Sequence, residues 1–364
     1  MKRSLVVIAV ALVALSPAAS AKEFANVEYL CADWGPAMKL PSKPGEKSQF
    51  SDADEEIYFL KQVTRFTRRT LLVPDLFSGA KTRDIGRGVS IYLCKMRSDG
   101  SAKTEIRELS KNPNYPIDTQ DQSTWMDVNT KLHKIALAIK YAGSDLTGLW
   151  TMNLDGTELK RIITPAQVGD RYQGINHPSW TPDGKLIVYE EELRGGQPYP
   201  FNISICDSNG REQRRLLEAP AKGQYRDPSV SPDGTLIAFA KFPDWYAGQR
   251  WIWLADIDGS HVRPLGGTQS RSTWGNYPTW SPDGKRIAVW GSILDASNGK
   301  TLLEHEPQCQ GKQYTYGWAH WGKSGFVGYT VAGILVTDSE LKEAKLIGAS
   351  NMVECSSGRD SCRW

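Results

Sequence analysis

The residues of this 364-residue chain best suited to chemistry fall in four short segments, 170–177, 224–227, 271–277 and 313–320. Arg171, Tyr172, His177, Tyr225, Arg226, Asp227, Arg271, Trp274, Tyr277, Tyr314 and Tyr316 form the candidate ligand-binding set. Aromatic faces stack on the apolar side of a sugar ring, and guanidinium groups pair with carboxylates. Together they suit sugars, acidic sugars or extended peptides. The same residues could instead pack between structural units, with arginines capping carbonyls.

The one reaction these types could run is elimination on an acidic polysaccharide. It needs an arginine to neutralise a uronate carboxylate and a His or Tyr to move protons. His177, His320, Tyr225 and Arg226 are the catalytic candidates, with Arg171 and Tyr172 beside them. No G-x-S-x-G elbow is present for a serine hydrolase. The five histidines, 133, 177, 261, 305 and 320, show no H-x-x-x-H spacing. No metal and no cofactor is expected.

Three of the four segments run straight into a repeat. His177-Pro-Ser-Trp-Thr-Pro-Asp-Gly184, Asp227-Pro-Ser-Val-Ser-Pro-Asp-Gly234 and Tyr277-Pro-Thr-Trp-Ser-Pro-Asp-Gly284 place prolines at 178, 228 and 278, every 50 residues. Each Pro-Asp-Gly is a turn: proline pre-sets φ, aspartate bonds its own backbone, and glycine accepts positive φ. Strand-like runs follow, such as Leu186-Ile-Val-Tyr189 and Leu236-Ile-Ala-Phe239, then further Asp-Gly turns at 209–210 (as Asn-Gly) and 258–259. Four short strands per unit at this period, without helical periodicity, indicate β-propeller blades. Weaker copies around Trp125, around Glu56–Leu109 and around Trp318–Ile347 extend the array. The expected fold is all-β, about six four-stranded blades, with seven left open. The first unit lacks a clear innermost strand, and the fifth is short after Trp290.

The Pro-x-Trp/Val-Ser/Thr-Pro-Asp-Gly-Lys-x-Ile-Ala pattern, followed by a strand and Asp-Gly, resembles the β-propeller repeat of the TolB family. The resemblance covers roughly residues 50–348 and the propeller part only. It implies a propeller fold. Repeats of this kind also occur in peptidases and polysaccharide-degrading enzymes, so it implies no single activity.

The remaining chain sets compartment and boundaries. Lys2 and Arg3, the apolar run 5–15 and Ala19-Ser20-Ala21 read as a signal peptide over 1–21, hence an exported, periplasmic or extracellular protein. Its removal lowers the formal charge from +3 to +1, which favours neither nucleic acid nor a polybasic membrane patch. No later segment is apolar enough to span a membrane. An N-terminal segment (22–49), the propeller (50–348) and a cysteine-containing tail (349–364) follow. Six cysteines in an exported chain make disulfides plausible, although Cys94 and Cys206 sit in strand-like runs as candidate buried thiols.

Topology then sorts the loops. The Pro-Asp-Gly turns are expected on one face, and the connections carrying the candidate residues on the other, around a channel mouth. A long insertion, 64–88, with Arg65, Arg68, Arg69, Lys81, Arg83 and Arg87 is expected to overhang that mouth as a basic loop. The expected function is non-catalytic binding of a glycan or protein ligand, anionic in character, at the mouth. A uronate-polysaccharide lyase and an envelope-complex scaffold subunit are the alternatives.

Overall fold

The computed structural model of the chain describes residues 22–43, 45–71, 81–112, 122–141, 147–164, 172–193, 200–220, 222–244, 248–267, 275–289, 292–304, 308–309, 312–313, 318–330, 333–341, 344–349 and 351–355. The segment 1–21 read as a signal peptide, Cys362 and the candidates Arg171, Arg271, Trp274, Tyr314 and Tyr316 lie outside them.

Blade one is β1 (Lys22–Lys39), β2 (Gln49–Leu71), β3 (Lys81–Arg97) and β4 (Thr104–Asn112). Blade two is β5 (Gln122–Asn129), β6 (Lys134–Tyr141), β7 (Gly148–Asn153) and β8 (Lys160–Ile163). Blade three is β9 (Tyr172–Trp180), β10 (Leu186–Leu193), β11 (Phe201–Asp207) and β12 (Arg214–Leu217). Blade four is β13 (Gln224–Val230), β14 (Leu236–Phe242), β15 (Trp251–Asp256) and β16 (Arg263–Pro264). Blade five is β17 (Thr279–Trp280), β18 (Arg286–Val289), β19 (Ser292–Asp295) and β20 (Thr301–Glu304). A two-strand ribbon, β21 (Gln308–Cys309) and β22 (Lys312–Gln313), precedes blade six. That blade is β23 (Trp318–Gly322), β24 (Gly325–Thr330), β25 (Gly333–Thr337) and β26 (Ala344–Ala349), and β27 (Asn351–Cys355) returns to pair with β1. The six antiparallel sheets form a six-bladed propeller, with a single 3₁₀ turn at Leu265–Gly267 the only helical element among the described residues.

Blade four shows why the repeat folds as it does. Gly234 N–H donates to Ser231 O at 2.8 Å and closes the turn, with Gly234 at φ +77°. Asp233 Oδ1 accepts from Thr235 N–H at 3.0 Å, and Ser231 Oγ accepts from Leu236 N–H at 2.9 Å. Each polar side chain therefore satisfies a backbone donor that the tight reversal would otherwise orphan.

Blades stick together through alternating apolar residues. Val188, Ile203 and Ile205 of blade three pack with Ile237, Phe239 and Ala255 of blade four. The ring closes the same way, Ala32, Trp34, Ile57 and Phe59 of blade one meeting Val327, Ile334 and Ile347 of blade six.

Two expectations change here. The first unit has its innermost strand: β1, drawn from the segment read as lying before the propeller. The 64–88 insertion is mostly strand, since β2 and β3 stay paired from Thr64↔Val89 out to Leu71↔Lys81. Its run of Thr, Phe, Leu and Ile has the β-propensity that this requires. Cys31, Cys94 and Cys206 are buried free thiols, as expected from the strand-like runs around Cys94 and Cys206; Cys362 and the side chains of Cys309 and Cys355 lie outside the described residues. Blade stacking already buries them, and burial pushes the Cys94 and Cys206 thiols up to about 12.

Candidate functional site

Each innermost strand contributes one residue to a common level of the channel. Register identifies them by their partners on the second strand: Asp33↔Tyr58, Asp127↔Ala136, Ser179↔Val188, Ser229↔Ala238, Thr279↔Ala288 and His320↔Val327. All six line one central cavity of about 640 Å³. The next residue in each strand is Trp34, Val128, Trp180, Val230, Trp280 or Trp321. Alternation turns these mostly toward the preceding blade, leaving only an edge of each on the cavity wall. Trp34 Nε1 donates to Gly325 O at 3.1 Å, and Trp280 Nε1 to Ser229 O at 3.0 Å.

The ring residues latch the following blade. Asp33 Oδ2 accepts from Val128 N–H at 2.7 Å, Asp127 Oδ2 from Trp180 N–H at 2.7 Å, and Ser179 Oγ from Val230 N–H at 3.0 Å. His320 Nδ1 lies 3.2 Å from Asp33 Oδ1 and 3.9 Å from Asp127 Oδ1. Half the ring, blades three to five, offers hydroxyls; the other half is ionisable. Burial, then the charge of Asp127, raises the Asp33 pKa well above the usual carboxylate range. Burial pushes Asp127 up to about 7, and burial with the nearby His177 charge takes His320 down to about 3. At neutral pH His320 is therefore an uncharged partner of two carboxyls that resist ionising together.

A second cluster sits two residues earlier on the strands. His177 Nδ1 lies 2.8 Å from Asp227 Oδ1 and 3.1 Å from Glu190 Oε2. Glu190, fully buried, also accepts from Asp227 N–H at 2.9 Å, Asn176 Nδ2 at 3.0 Å and Arg226 Nη2 at 3.3 Å. Asp227 Oδ2 accepts from Tyr277 N–H at 3.3 Å, so the chain of contacts crosses three blades. Burial disfavours charge on His177, but the Asp227 and Glu190 carboxylates outweigh it and raise its pKa. Burial likewise opposes the Glu190 carboxylate, yet Arg226 and His177 hold its pKa below the usual range.

This cluster depends on backbone strain. His177, Asp227 and Tyr277 have φ of +47°, +57° and +54°, immediately before prolines. Such left-handed, non-glycine conformations cost about 1–3 kcal/mol each. In blades three and four they coincide with register shifts, between Val188 and Glu190 and between Arg226 and Ser229. A bulge of this kind re-aims a side chain that regular pleating would direct elsewhere.

Of the sequence candidates, His177, Asp227, Tyr277 and His320 come together in the cavity wall. Arg226 does not line it: its guanidinium is held by Glu190 and sits 4.1 Å over the Phe201 ring. Tyr225 packs edge-on to Phe239 at 5.3 Å, also away from the cavity. Tyr172 occupies β9 opposite Leu193. The cavity reaches the Pro-Asp-Gly turns through Pro182, Pro232 and Pro282, on the face expected to be remote from any site. An innermost strand begins at a between-blade connection and ends at that turn, so the channel it lines serves both faces.

Asp33, Asp127 and the ring hydroxyls were missed by sequence reading. Aligning every unit on the residue before its Trp or Val would have found them. Chemically, the wall is rich in acceptors: Asp33, Asp54, Glu55, Asp127 and Asp227 against Lys131 and Lys323. Either trio, Asp33/Asp127/His320 or His177/Glu190/Asp227, brings ligating atoms within 4.8 Å of one another and could hold a cation. The second trio already has Arg226 and a charged His177 to balance it.

No family model matches the chain. It is 31% identical over 109 residues to the uncharacterized protein Atu1656 of Agrobacterium fabrum, covering 30% of this chain and 33% of that protein. The chain thus spans about a third of the length of this curated relative. TolB from Acinetobacter baumannii is similar in structure, with a TM-score of 0.46, 12% identity and coverage of 90% and 80% of the two chains. Oligogalacturonate lyase from Vibrio parahaemolyticus is similar at a TM-score of 0.43 and 10% identity, covering 91% and 99%. At these identities none carries an activity to this chain.

Proposed function

We propose that the chain is an exported, non-catalytic β-propeller that binds a glycan in its central cavity. The observation that supports this most is the ring itself: one polar side chain from each of six blades facing a cavity of about 640 Å³. That volume lies within the ordinary range for ligand sites, ~300–1,000 Å³. Carboxylates and hydroxyls at one level accept and exchange hydrogen bonds with sugar hydroxyls, while tryptophan and proline edges meet the apolar face of the ring.

The acceptor-rich wall favours a neutral or cationic ligand over an anionic one. A lyase has less support, because the guanidinium it would need at Arg226 is engaged by Glu190 inside the wall. The test is calorimetric titration with short neutral and uronate-containing oligosaccharides, alongside ultraviolet absorbance for unsaturated products. Binding of neutral sugars without an absorbance change is expected. An absorbance rise on uronate polymers that disappears in His320→Ala would replace this reading with the lyase.

A further inference from the structure

The two halves of the polar ring differ in kind. Ser179, Ser229 and Thr279, from blades three to five, offer hydroxyls to the cavity, whereas Asp33, Asp127 and His320, from blades one, two and six, are ionisable. Consecutive blades supply each half, so an acidic side faces a hydroxyl side across the channel.

The acidic side departs from the rest of the molecule. Elsewhere a buried carboxylate is matched by a fixed cation: Glu56 by Lys95 at 2.6 Å, Glu192 by Lys140 at 2.8 Å, Glu191 by Arg215 at 3.0 Å and Glu190 by Arg226 at 3.3 Å. Asp33 and Asp127 have no lysine or arginine partner among the described residues, and their ion-pair contacts run only to His320. The lysines of the cavity wall, Lys131 and Lys323, are exposed, on the turns that join a first strand to a second.

Backbone groups fix both carboxylates instead. Asp33 accepts from Trp34 N–H and Val128 N–H, and Asp127 Oδ2 from Trp180 N–H, each at 2.7 Å. An oxygen held in this way keeps a second lone pair. Asp127 Oδ1 accepts no hydrogen bond from the described residues. The cavity wall thus presents two immobile acceptors without a counter-charge, and a charge from outside would offset the cost of burying theirs.

We propose, resting on the reading that this cavity takes a glycan, that its ligand is an amino sugar with a free amine, the ammonium between Asp33 and Asp127 and the sugar hydroxyls toward Ser179, Ser229 and Thr279. Spacing favours an ammonium over a metal ion. Oxygens of Asp33 and Asp127 lie within 4.8 Å of each other. Two acceptors on one ammonium, each about 2.8 Å from the nitrogen, stand roughly 4.6 Å apart. Ligands on a tetrahedral metal at about 2.1 Å stand only ~3.4 Å apart. His320 Nδ1 is 3.9 Å from Asp127 Oδ1, wider than that. A lysine side chain of a peptide is less suited, because its apolar stem would face the hydroxyl half.

Calorimetry on the full chain at pH 6 tests the assignment with three linear trimers of one linkage that differ only at the second ring carbon. Glucosamine carries an ammonium there, N-acetylglucosamine an amide and glucose a hydroxyl. The glucosamine trimer should bind at least about tenfold more tightly than the other two, as charge-assisted hydrogen bonds to buried carboxylates warrant. EDTA should leave that preference unchanged. In Asp127→Asn the preference should fall several-fold, whereas Thr279→Val should weaken all three trimers alike and keep it. Equal affinities in the parent would overturn the amino-sugar assignment and leave the glycan reading standing; binding of none of the three would count against both. Equally tight binding of trilysine, a preference lost in EDTA, or one undiminished in Asp127→Asn would also overturn it.

Discussion

His177 and Asp227 occupy the same pre-proline position on consecutive blades, and His177 Nδ1 lies 2.8 Å from Asp227 Oδ1. The contact exists because both residues hold positive φ at a position where proline disfavours the regular helical region. Glu190 then binds the side chain of one and the backbone N–H of the other. The varied slot His, Asp, Tyr is thus a chain of unlike partners, each chosen for its neighbour in the ring.

Removing the hub of that chain should be expensive. Glu190→Gln keeps the shape but leaves the Arg226 guanidinium without the carboxylate that holds it and His177 with Asp227 alone. The expected loss is about 3–5 kcal/mol, as for other buried pairs deprived of one partner. Urea denaturation of the two proteins at pH 6 checks it; a loss below about 1 kcal/mol would mean the network behaves like a surface pair.

The Asp127 carboxyl has a distinctive pH dependence. Its folded pKa is about 7 against an ordinary value of 3.8. Between those values the folded state holds a proton that the unfolded state lacks, so this group's contribution falls as pH rises from about 4 to about 7. Asp127→Asn, which does not titrate and can still accept from Trp180 N–H, should melt higher than the parent at pH 8 and with it at pH 4. An offset that does not change with pH would contradict the assignment.

His177 should show the opposite side of the same linkage. Its raised pKa gives stability that is fully present below the unfolded value of 6.5 and is lost as pH rises through the folded value. In His177→Gln, the decline in melting temperature above pH 6.5 should be shallower than in the parent.

Ring closure can be loosened at one atom. A Cβ on Gly322 would fall 2.5 Å from the Trp34 ring, across the junction of blades six and one. Gly322→Ala should cost about 1–3 kcal/mol, the usual penalty of overpacking. Trp34→Phe, which makes room, should recover part of it in the double variant, and strict additivity in denaturant titrations would argue against the contact.

Much of the scaffold was legible because Pro-Asp-Gly turns need particular residues at fixed places, and three copies preserved them. Blade one was not, because β1 carries Asp33-Trp34-Gly35-Pro36, which keeps the Trp-x-Pro of the repeat but has Ala37-Met38 where the turn's Asp-Gly would follow. The 64–88 segment read as a loop for want of a partner in sequence; its arginines obscured a Thr- and Phe-bearing strand. Among site residues, His177, Asp227 and Tyr277 were found because they precede repeat prolines. Arg226, beside them, does not reach the cavity: one residue along a strand reverses the side chain's direction, and buried Glu190 on β10 of the preceding blade captured it. Asp33 and Asp127 went unnoticed because each stands in a degenerate unit where its neighbours mask the alignment.

The central claim is that the six-blade ring forms a binding site, and titration of cavity variants addresses it most directly. Short neutral oligosaccharides should bind the parent protein with measurable heat, and Asp127→Asn and Thr279→Val should each weaken binding by about tenfold, as expected for one lost hydrogen bond to a buried polar group. Both variants must first melt within a few degrees of the parent at pH 6. Undiminished affinity in both variants, or no binding of any neutral oligosaccharide by the parent, would contradict a glycan site in the cavity.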